Sequence, residues 1–120
     1  MNLVKIAAAL VVCGAMSAAV WAGEVIHKVG KVTWHAADYA GKAVALKGYL
    51  LEVHDGYVLF SDEPNGGISA HDLPVSGAGS ETMVAGKLYL LHGTFLKGGL
   101  TASNGNPYHL ALSVPPAVLP

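Results

Sequence analysis

The sequence predicts an all-β fold, a small closed barrel of five strands with one short helix between the third and fourth strands. Two separate segments, residues 44–50 and 89–95, alternate apolar with other residues and carry a glycine at matching positions. Strict alternation with a period of two is typical of a half-buried strand. An Asp-Gly pair at 55–56 and Gly-rich turns farther along the chain separate further strand-like runs.

The first two strands form a hairpin. Val44, Leu46, Gly48 and Leu50 share one face of the first strand. Because glycine weakens a strand, Gly48 predicts a bend or a close backbone approach at a barrel corner. The pair Asp55-Gly56 is typical of a two-residue hairpin turn, whose central positions need positive φ. Alternation in the second strand then puts Val58 and Phe60 on one face, and Tyr57, Leu59 and Ser61 on the other.

The remaining elements follow from turn chemistry and alternation. A turn at 64–67 predicts a short third strand at 68–71. Residues 80–85 predict a short helix, with Ser80 as its N-cap and Gly86 just after its end. The fourth strand spans 87–95, a polar loop covers 97–106, and the fifth strand spans 108–114. We expect Gly48 and Gly93 to lie near each other on the paired first and fourth strands.

The N-terminus predicts export. Residues 1–22 have one early cation, an apolar run of about 15 residues and a small-residue ending, which is typical of a cleaved secretory signal peptide. The alternative is an uncleaved anchor, but a spanning helix needs about 20 apolar residues. The predicted division is a signal peptide at 1–22, a lead-in at 23–41, the barrel at 42–114 and a tail at 115–120. The lead-in has weak alternation, which allows an extra strand, and 34–40 allow one helical turn.

The expected location is the periplasm or the outside of the cell, with no membrane span left after cleavage. The single cysteine, Cys13, lies in the signal peptide, so the mature chain has no disulfide. The whole chain has a net charge of −1, and all seven of its Lys and Arg residues are lysines. Removing 1–22 takes away Lys5 and no acid, which leaves −2. Nucleic acid is therefore an unfavoured ligand, because phosphate backbones need clustered cations.

The order of motifs resembles the OB-fold, and with the signal peptide it is similar to the small periplasmic OB-fold proteins of bacteria. The motif string is Val44-x-Leu46-x-Gly48-x-Leu50, Tyr57-x-Leu59-x-x-Asp62, Gly67-Ile68 and Leu91-x-Gly93-x-Phe95. The match covers residues 42–114. Such barrels bind ligands on the outer face of the second and third strands, between two flanking loops. The resemblance therefore implies a ligand-binding set of eight residues: Tyr57, Leu59, Ser61, Ser69, His71, His54, Asn104 and Asn106.

The sequence favours a non-enzymatic binding or accessory module that needs no cofactor. Its ligand could be a protein, an oligosaccharide or a small anion, and the oligomeric state stays open. No pattern of nucleophile and base is present, and Asp62-Glu63 is interpreted as a turn. An alternative function is single-stranded nucleic-acid binding, which rests on the fold resemblance alone.

A second alternative is metal or haem handling by the barrel histidines. Six histidines follow the signal peptide, and imidazole is a common metal ligand. Strand parity places His92 and His109 outside the barrel as exposed side chains, and pairing of the fourth and fifth strands would allow them to come near each other. We expect two separated histidine pairs at most. No pair has a standard ligand spacing, so we expect no retained metal.

Overall fold

Five strands close into a barrel, with a short additional strand at each end of the chain. The computed structural model describes residues 24–120, so the predicted signal peptide lies outside the described residues. The elements in chain order are β1 (Ile26–Lys28), helix α1 (Val29–Thr33), helix α2 (Ala36–Tyr39), β2 (Ala43–His54), β3 (Tyr57–Ser61), β4 (Leu73–Ser76), a 3-10 turn (Ser80–Thr82), β5 (Leu88–Lys97), β6 (Tyr108–Leu112) and β7 (Ala117–Val118).

The sheet order is β1-β2-β3-β4-β6-β5-β7, and pairing of β2 with β5 closes the barrel. The long strand β2 serves two partners: its first half is antiparallel to β5 and its second half to β3. A register shift between Leu50 and Glu52 lets β2 bend from one neighbour to the other. Strand β4 is parallel to β6. The predicted barrel of five strands is confirmed, as is the turn at Asp55-Gly56, where Gly56 has a φ of 87°.

The barrel interior holds the alternate residues that the sequence placed there. Val44, Leu46 and Leu50 of β2 pack with Val58 and Phe60 of β3 in one buried cluster. The same cluster takes four residues from β5 and β6: Tyr89, Leu91, Phe95 and Leu110. Removal of this apolar surface from water is the main favourable term in the fold.

The two strand glycines mark close approaches of the backbone, as predicted, but they are not near each other. Gly48 registers with Tyr89, and Gly93 registers with Val44. Four residues of strand therefore separate them, about 13 Å along the sheet. A Cβ atom at Gly93 would lie 2.3 Å from the carbonyl oxygen of Ala111, and one at Gly48 would lie 2.7 Å from Val29 Cγ2. Each glycine meets its own neighbour, so the two close approaches are independent.

The third barrel strand lies at Leu73–Ser76, and the prediction of a strand at 68–71 is wrong. The Asp72 carboxylate accepts the backbone N–H of Ser69 at 2.8 Å, which holds residues 69–72 in a turn. The following residues, Leu73, Pro74 and Val75, are fully buried. Pro74 registers with Leu59 of β3, and pairing with β6 begins at the next residue, Val75.

The short helix between the third and fourth strands is a single 3-10 turn, not a helix across 80–85. Gly79, with a φ of 90°, occupies the N-cap position, and no side chain caps the turn. The prediction that Ser80 is the cap is therefore wrong. Gly86 has positive φ but does not follow a helix, since the 3-10 turn ends at Thr82. The Gly86 N–H donates to the carbonyl oxygen of Leu50 at 2.8 Å.

The lead-in is built into the barrel. Strand β1 pairs in parallel with β2, which confirms an extra strand there. The helical turn expected in 34–40 is α2, and α1 precedes it. In the predicted tail, β7 pairs with β5, an addition that the sequence did not indicate.

Across residues 24–120, no helix has the length and apolar character needed to cross a bilayer.

Candidate functional site

The outer face of β3, the predicted ligand face, is covered by the chain itself. Leu59 is fully buried, and Tyr57 is 9% exposed. Both belong to a second apolar cluster with Ala102 and Leu100 of the loop between β5 and β6. Ser61 is also buried, and its Oγ accepts the N–H of Glu63 at 3.2 Å. The parity of β3 follows the prediction, but its outer face is a packing surface because the loop folds over it.

Hydrogen bonds hold this loop in place. The backbone N–H of Ser103 donates to the Tyr57 hydroxyl at 2.8 Å. The Asn104 amide donates to the carbonyl oxygens of Ser69 and Asp72, each at 2.9 Å. The Asn106 amide donates to the same Asp72 oxygen at 3.0 Å. The two asparagines of the predicted ligand set therefore join the β5–β6 loop to the β3–β4 loop.

One end of the β3 face carries a small polar stack. The His54 ring lies parallel to the Tyr57 ring, with centroids 4.7 Å apart. His54 Nε2 lies 2.8 Å from Glu52 Oε1, and both side chains are partly exposed. His54 thus contacts β3 through Tyr57, and its ring is partly available to solvent.

The opposite end carries an exposed aromatic pair, Trp34 and His71. The Trp34 side chain is 66% exposed, and its ring stacks on His71 with centroids 3.5 Å apart and planes 14° apart. The backbone N–H of His71 donates to Ser69 Oγ at 3.2 Å. Ser69 and His71 thus lie in the β3–β4 loop rather than on a strand. Since His71 covers one face of the indole, the exposed part includes the opposite face.

Asp62 fixes the segment that carries Trp34. Its Oδ1 accepts the N–H of Val29 at 2.8 Å, and its Oδ2 accepts the N–H of Gly30 at 2.9 Å. The carboxylate at the end of β3 therefore caps α1, which begins at Val29 and ends one residue before Trp34. Asp62 also lies at the start of the bend and turn at 62–65, as expected, so the cap is a second role of this residue. The cap thus fixes the start of the short helix that leads to Trp34, and His71 covers one face of its indole.

His92 and His109 do not come together, which corrects the prediction. His92 registers with Ala45, whereas His109 registers with Leu96, four residues farther along β5. Neither ring is exposed: His92 is 8% and His109 is 7% exposed. His92 Nε2 lies 3.6 Å from Glu24 Oε1, because the start of the described chain lies against β5.

Burial lowers the pKa of His109 below its usual value of 6.5, and a hydrogen bond with the Gly98 backbone opposes that shift. The histidines make separate contacts: His54 stacks on Tyr57, His71 stacks on Trp34, and His92 lies near Glu24. Over residues 24–120, no three His, Cys, Asp or Glu side chains are grouped closely enough to hold a metal ion.

A cavity of about 510 Å³ lies along the β5–β6 loop. It is lined by Lys97, Gly98, Gly99, Leu100, Thr101, Ala102, Gly105, Asn106 and Pro107. All of these residues belong to the end of β5 or to the loop, so the cavity is a groove in the loop itself. The predicted ligand face on β3 is therefore covered. The features exposed near it are the groove in the β5–β6 loop and the Trp34–His71 pair.

Comparisons with solved structures agree on the architecture. The OBody AM3L09, bound to hen egg-white lysozyme, matches with a TM-score of 0.57 and 15% identity, over 80% of this chain and 94% of its own. A chain assigned as an aspartyl-tRNA synthetase from Leishmania major Friedlin matches with a TM-score of 0.55 and 8% identity. That alignment covers 80% of this chain and 21% of the synthetase.

The chain has an OB-like fold. A DUF3299 family protein from Pseudomonas aeruginosa PAO1 is also similar, with a TM-score of 0.48 and 16% identity over 69% of this chain and 64% of its own. No protein-family model matches the sequence, and no curated protein matches it. At these identities the OB-like likeness concerns the fold, and function has to be argued from the side chains.

Sequence reasoning missed Trp34 as a site residue. Its segment had no strong apolar period, and only a helical turn was expected there. The tryptophan itself was the available signal, since a ring of this size is usually buried in part. Its partner His71 was in the predicted set, but for a strand position that it does not occupy.

Proposed function

We propose that this protein is a non-enzymatic, exported binding module of OB-like fold whose ligand is an oligosaccharide. The observation that carries the proposal is the Trp34–His71 pair, in which an indole is two-thirds exposed yet held flat against a second ring. The exposed ring of Trp34 supplies a flat contact surface at low cost in conformational entropy.

The chemistry of the pair suits a sugar. The C–H groups on one face of a pyranose ring pack against an aromatic ring face, while its hydroxyls stay at the edge. The adjacent β3–β4 loop offers exposed polar side chains for those hydroxyls, including Asn65 and Ser69. OB-folds bind oligosaccharides as well as oligonucleotides, so the architecture is compatible with this ligand class.

The charge of the protein favours an oligosaccharide over an oligonucleotide. A base could stack on Trp34 as a sugar does. However, the chain has a net charge of −1 and no arginine, whereas a phosphate backbone needs clustered cations. A neutral saccharide has no such requirement. The OBody binds hen egg-white lysozyme, so a barrel of this shape can also hold a protein ligand.

The test uses Trp34 as its own reporter. In a Trp21→Phe background, Trp34 is the only tryptophan, since the chain has two. We expect its fluorescence to change saturably with neutral hexasaccharides such as chitohexaose or maltohexaose, and not with a single-stranded oligothymidine near physiological salt. Calorimetry should show that Trp34→Ala abolishes saccharide binding while the thermal midpoint is retained.

The matched control is Val84→Ala, which truncates another exposed apolar side chain on a different part of the surface. It should leave saccharide binding unchanged. Oligonucleotide binding with a steep salt dependence would favour the nucleic-acid alternative over the proposal. Saccharide binding that survives Trp34→Ala would place the site elsewhere.

A further inference from the structure

We propose that a second site, between the ends of β1 and β3 on the outer surface of β2, binds a compact oxyanion, a phosphate or carboxylate group. A cavity of about 220 Å³ lies there. It is lined by Lys28, Lys47, Gly48, Tyr49, Asp62 and Leu88. This site is separate from the aromatic pair, and the inference does not depend on the proposed function.

Two lysines are held side by side at this cavity. Lys28 of β1 and Lys47 of β2 are registered partners on neighbouring parallel strands. Registered partners project to the same face, and neighbouring strands lie about 4.8 Å apart. Like charges placed directly across a strand pair are destabilising. An anion bound between the two ammonium groups would turn this repulsion into attraction.

No carboxylate of residues 24–120 forms an ion pair with either lysine. Within residues 24–120, the ion pairs of the structure involve histidine, and neither lysine forms one. Asp62 is the one acid that lines the cavity, and both its oxygens already accept backbone N–H groups of α1, at 2.8 and 2.9 Å. Two cations and one capped carboxylate leave a net charge of about +1 for a ligand to meet.

The other lining residues suit a small polar ligand. Tyr49 precedes the bend of β2 on the same face as Lys47, and its phenol can donate a hydrogen bond to an oxyanion. Leu88, which registers with Tyr49, supplies an apolar wall. The size of the cavity fits one anionic group with a short carbon skeleton. The remaining lysines are dispersed along the sequence, so this is not the surface of a polyphosphate-binding protein.

The site can be tested by nuclear magnetic resonance on the full chain. Amide shifts are followed during titration with inorganic phosphate and, separately, with succinate, against sodium chloride at equal ionic strength. We expect saturable shifts centred on Lys28, Lys47 and Tyr49 with at least one of the two anions. The two titrations distinguish a phosphate from a carboxylate as the preferred group.

Variants K28Q and K47Q should each weaken the binding about tenfold, because each removes one charge-assisted hydrogen bond. The matched control is K87Q, which neutralises an exposed lysine outside the cavity. Without the anion, K28Q and K47Q should be at least as thermally stable as the wild type, since the like-charge repulsion is relieved. With the anion, the wild type should gain more in thermal midpoint than either variant.

Two results would overturn the inference. One is the absence of saturable shifts at this cavity with both anions. The other is an equal loss of anion binding in K87Q, which would show a diffuse response to net charge.

Discussion

At position 93 the barrel leaves no room for a side chain larger than that of glycine. The position needed for a Cβ lies 2.3 Å from the Ala111 oxygen and 2.9 Å from the Ala111 carbonyl carbon. Both are backbone atoms of the paired strand β6, so they cannot rotate away. At Gly48 the nearest atom is a side-chain methyl of Val29, and the nearest backbone atom, the Ser61 oxygen, lies at 3.2 Å. Glycine is therefore required more strictly at position 93 than at position 48, although both lie within apolar strands.

We predict that Gly93→Ala destabilises the fold by about 3 kcal/mol, and Gly48→Ala by about 1 kcal/mol. The measurement is the free energy of unfolding in urea. Gly67→Ala is the matched control, because a Cβ there meets nothing within 4 Å. It should change stability by less than about 0.5 kcal/mol. Equal losses at Gly93 and Gly67 would contradict the close-approach explanation.

At the scale of elements, the β5–β6 loop determines which part of the barrel surface is exposed. Leu100 and Ala102 give it an apolar underside, which packs on Tyr57 and Leu59. Asn104 and Asn106 tie it to the β3–β4 loop, the loop that also carries His71. The loop that covers β3 thus also supports the partner of Trp34.

We predict that Asn104→Ala destabilises the protein by about 1–2 kcal/mol, because it removes two side-chain hydrogen bonds. Amide exchange at Ser103 should become faster, since the loop that positions its bond to the Tyr57 hydroxyl is loosened. Asn65→Ala, at an exposed position of the β3–β4 loop, is the control and should leave Ser103 unchanged. Unchanged exchange in Asn104→Ala would show that the apolar underside alone holds the loop.

On the scale of the whole molecule, the barrel closes through seams of unequal length. Strands β2 and β5 are registered over seven residue pairs, from Ala43↔Thr94 to Tyr49↔Leu88. Strands β4 and β6 are registered over two pairs, Val75↔Leu110 and Ser76↔Ala111. The parallel seam is also the less favourable pairing geometry.

We predict that native-state amide exchange opens the β4–β6 seam first. Amides that bond across it should exchange through local opening with a lower free energy than those of Leu46 and Leu91, which should exchange only on global unfolding. Exchange followed at increasing urea distinguishes the two classes, since local openings depend weakly on denaturant. Equal protection at both seams would mean that the barrel opens as one cooperative unit.

The sequence by itself determined the parts of this protein that local chain geometry specifies. Alternation assigned the inward faces of β2, β3 and β5, because the side-chain period of a strand is two whatever its neighbours are. Turn chemistry located the hairpin at Asp55-Gly56, and glycine placement marked both close approaches. The motif order then indicated an OB-like barrel. These inferences needed no knowledge of which distant residues meet.

The tertiary structure alone decided the surface. Whether the outer face of β3 is open depends on a loop some 40 residues later in the chain, and burial of Leu59 follows from Leu100 and Ala102 folding over it. The third strand moved to Leu73–Ser76 because core packing and the Asp72 turn outweighed the alternation at 68–71. The Trp34–His71 stack and the Lys28–Lys47 pair join residues far apart in sequence, and such juxtapositions are set by strand register and loop packing rather than by local pattern.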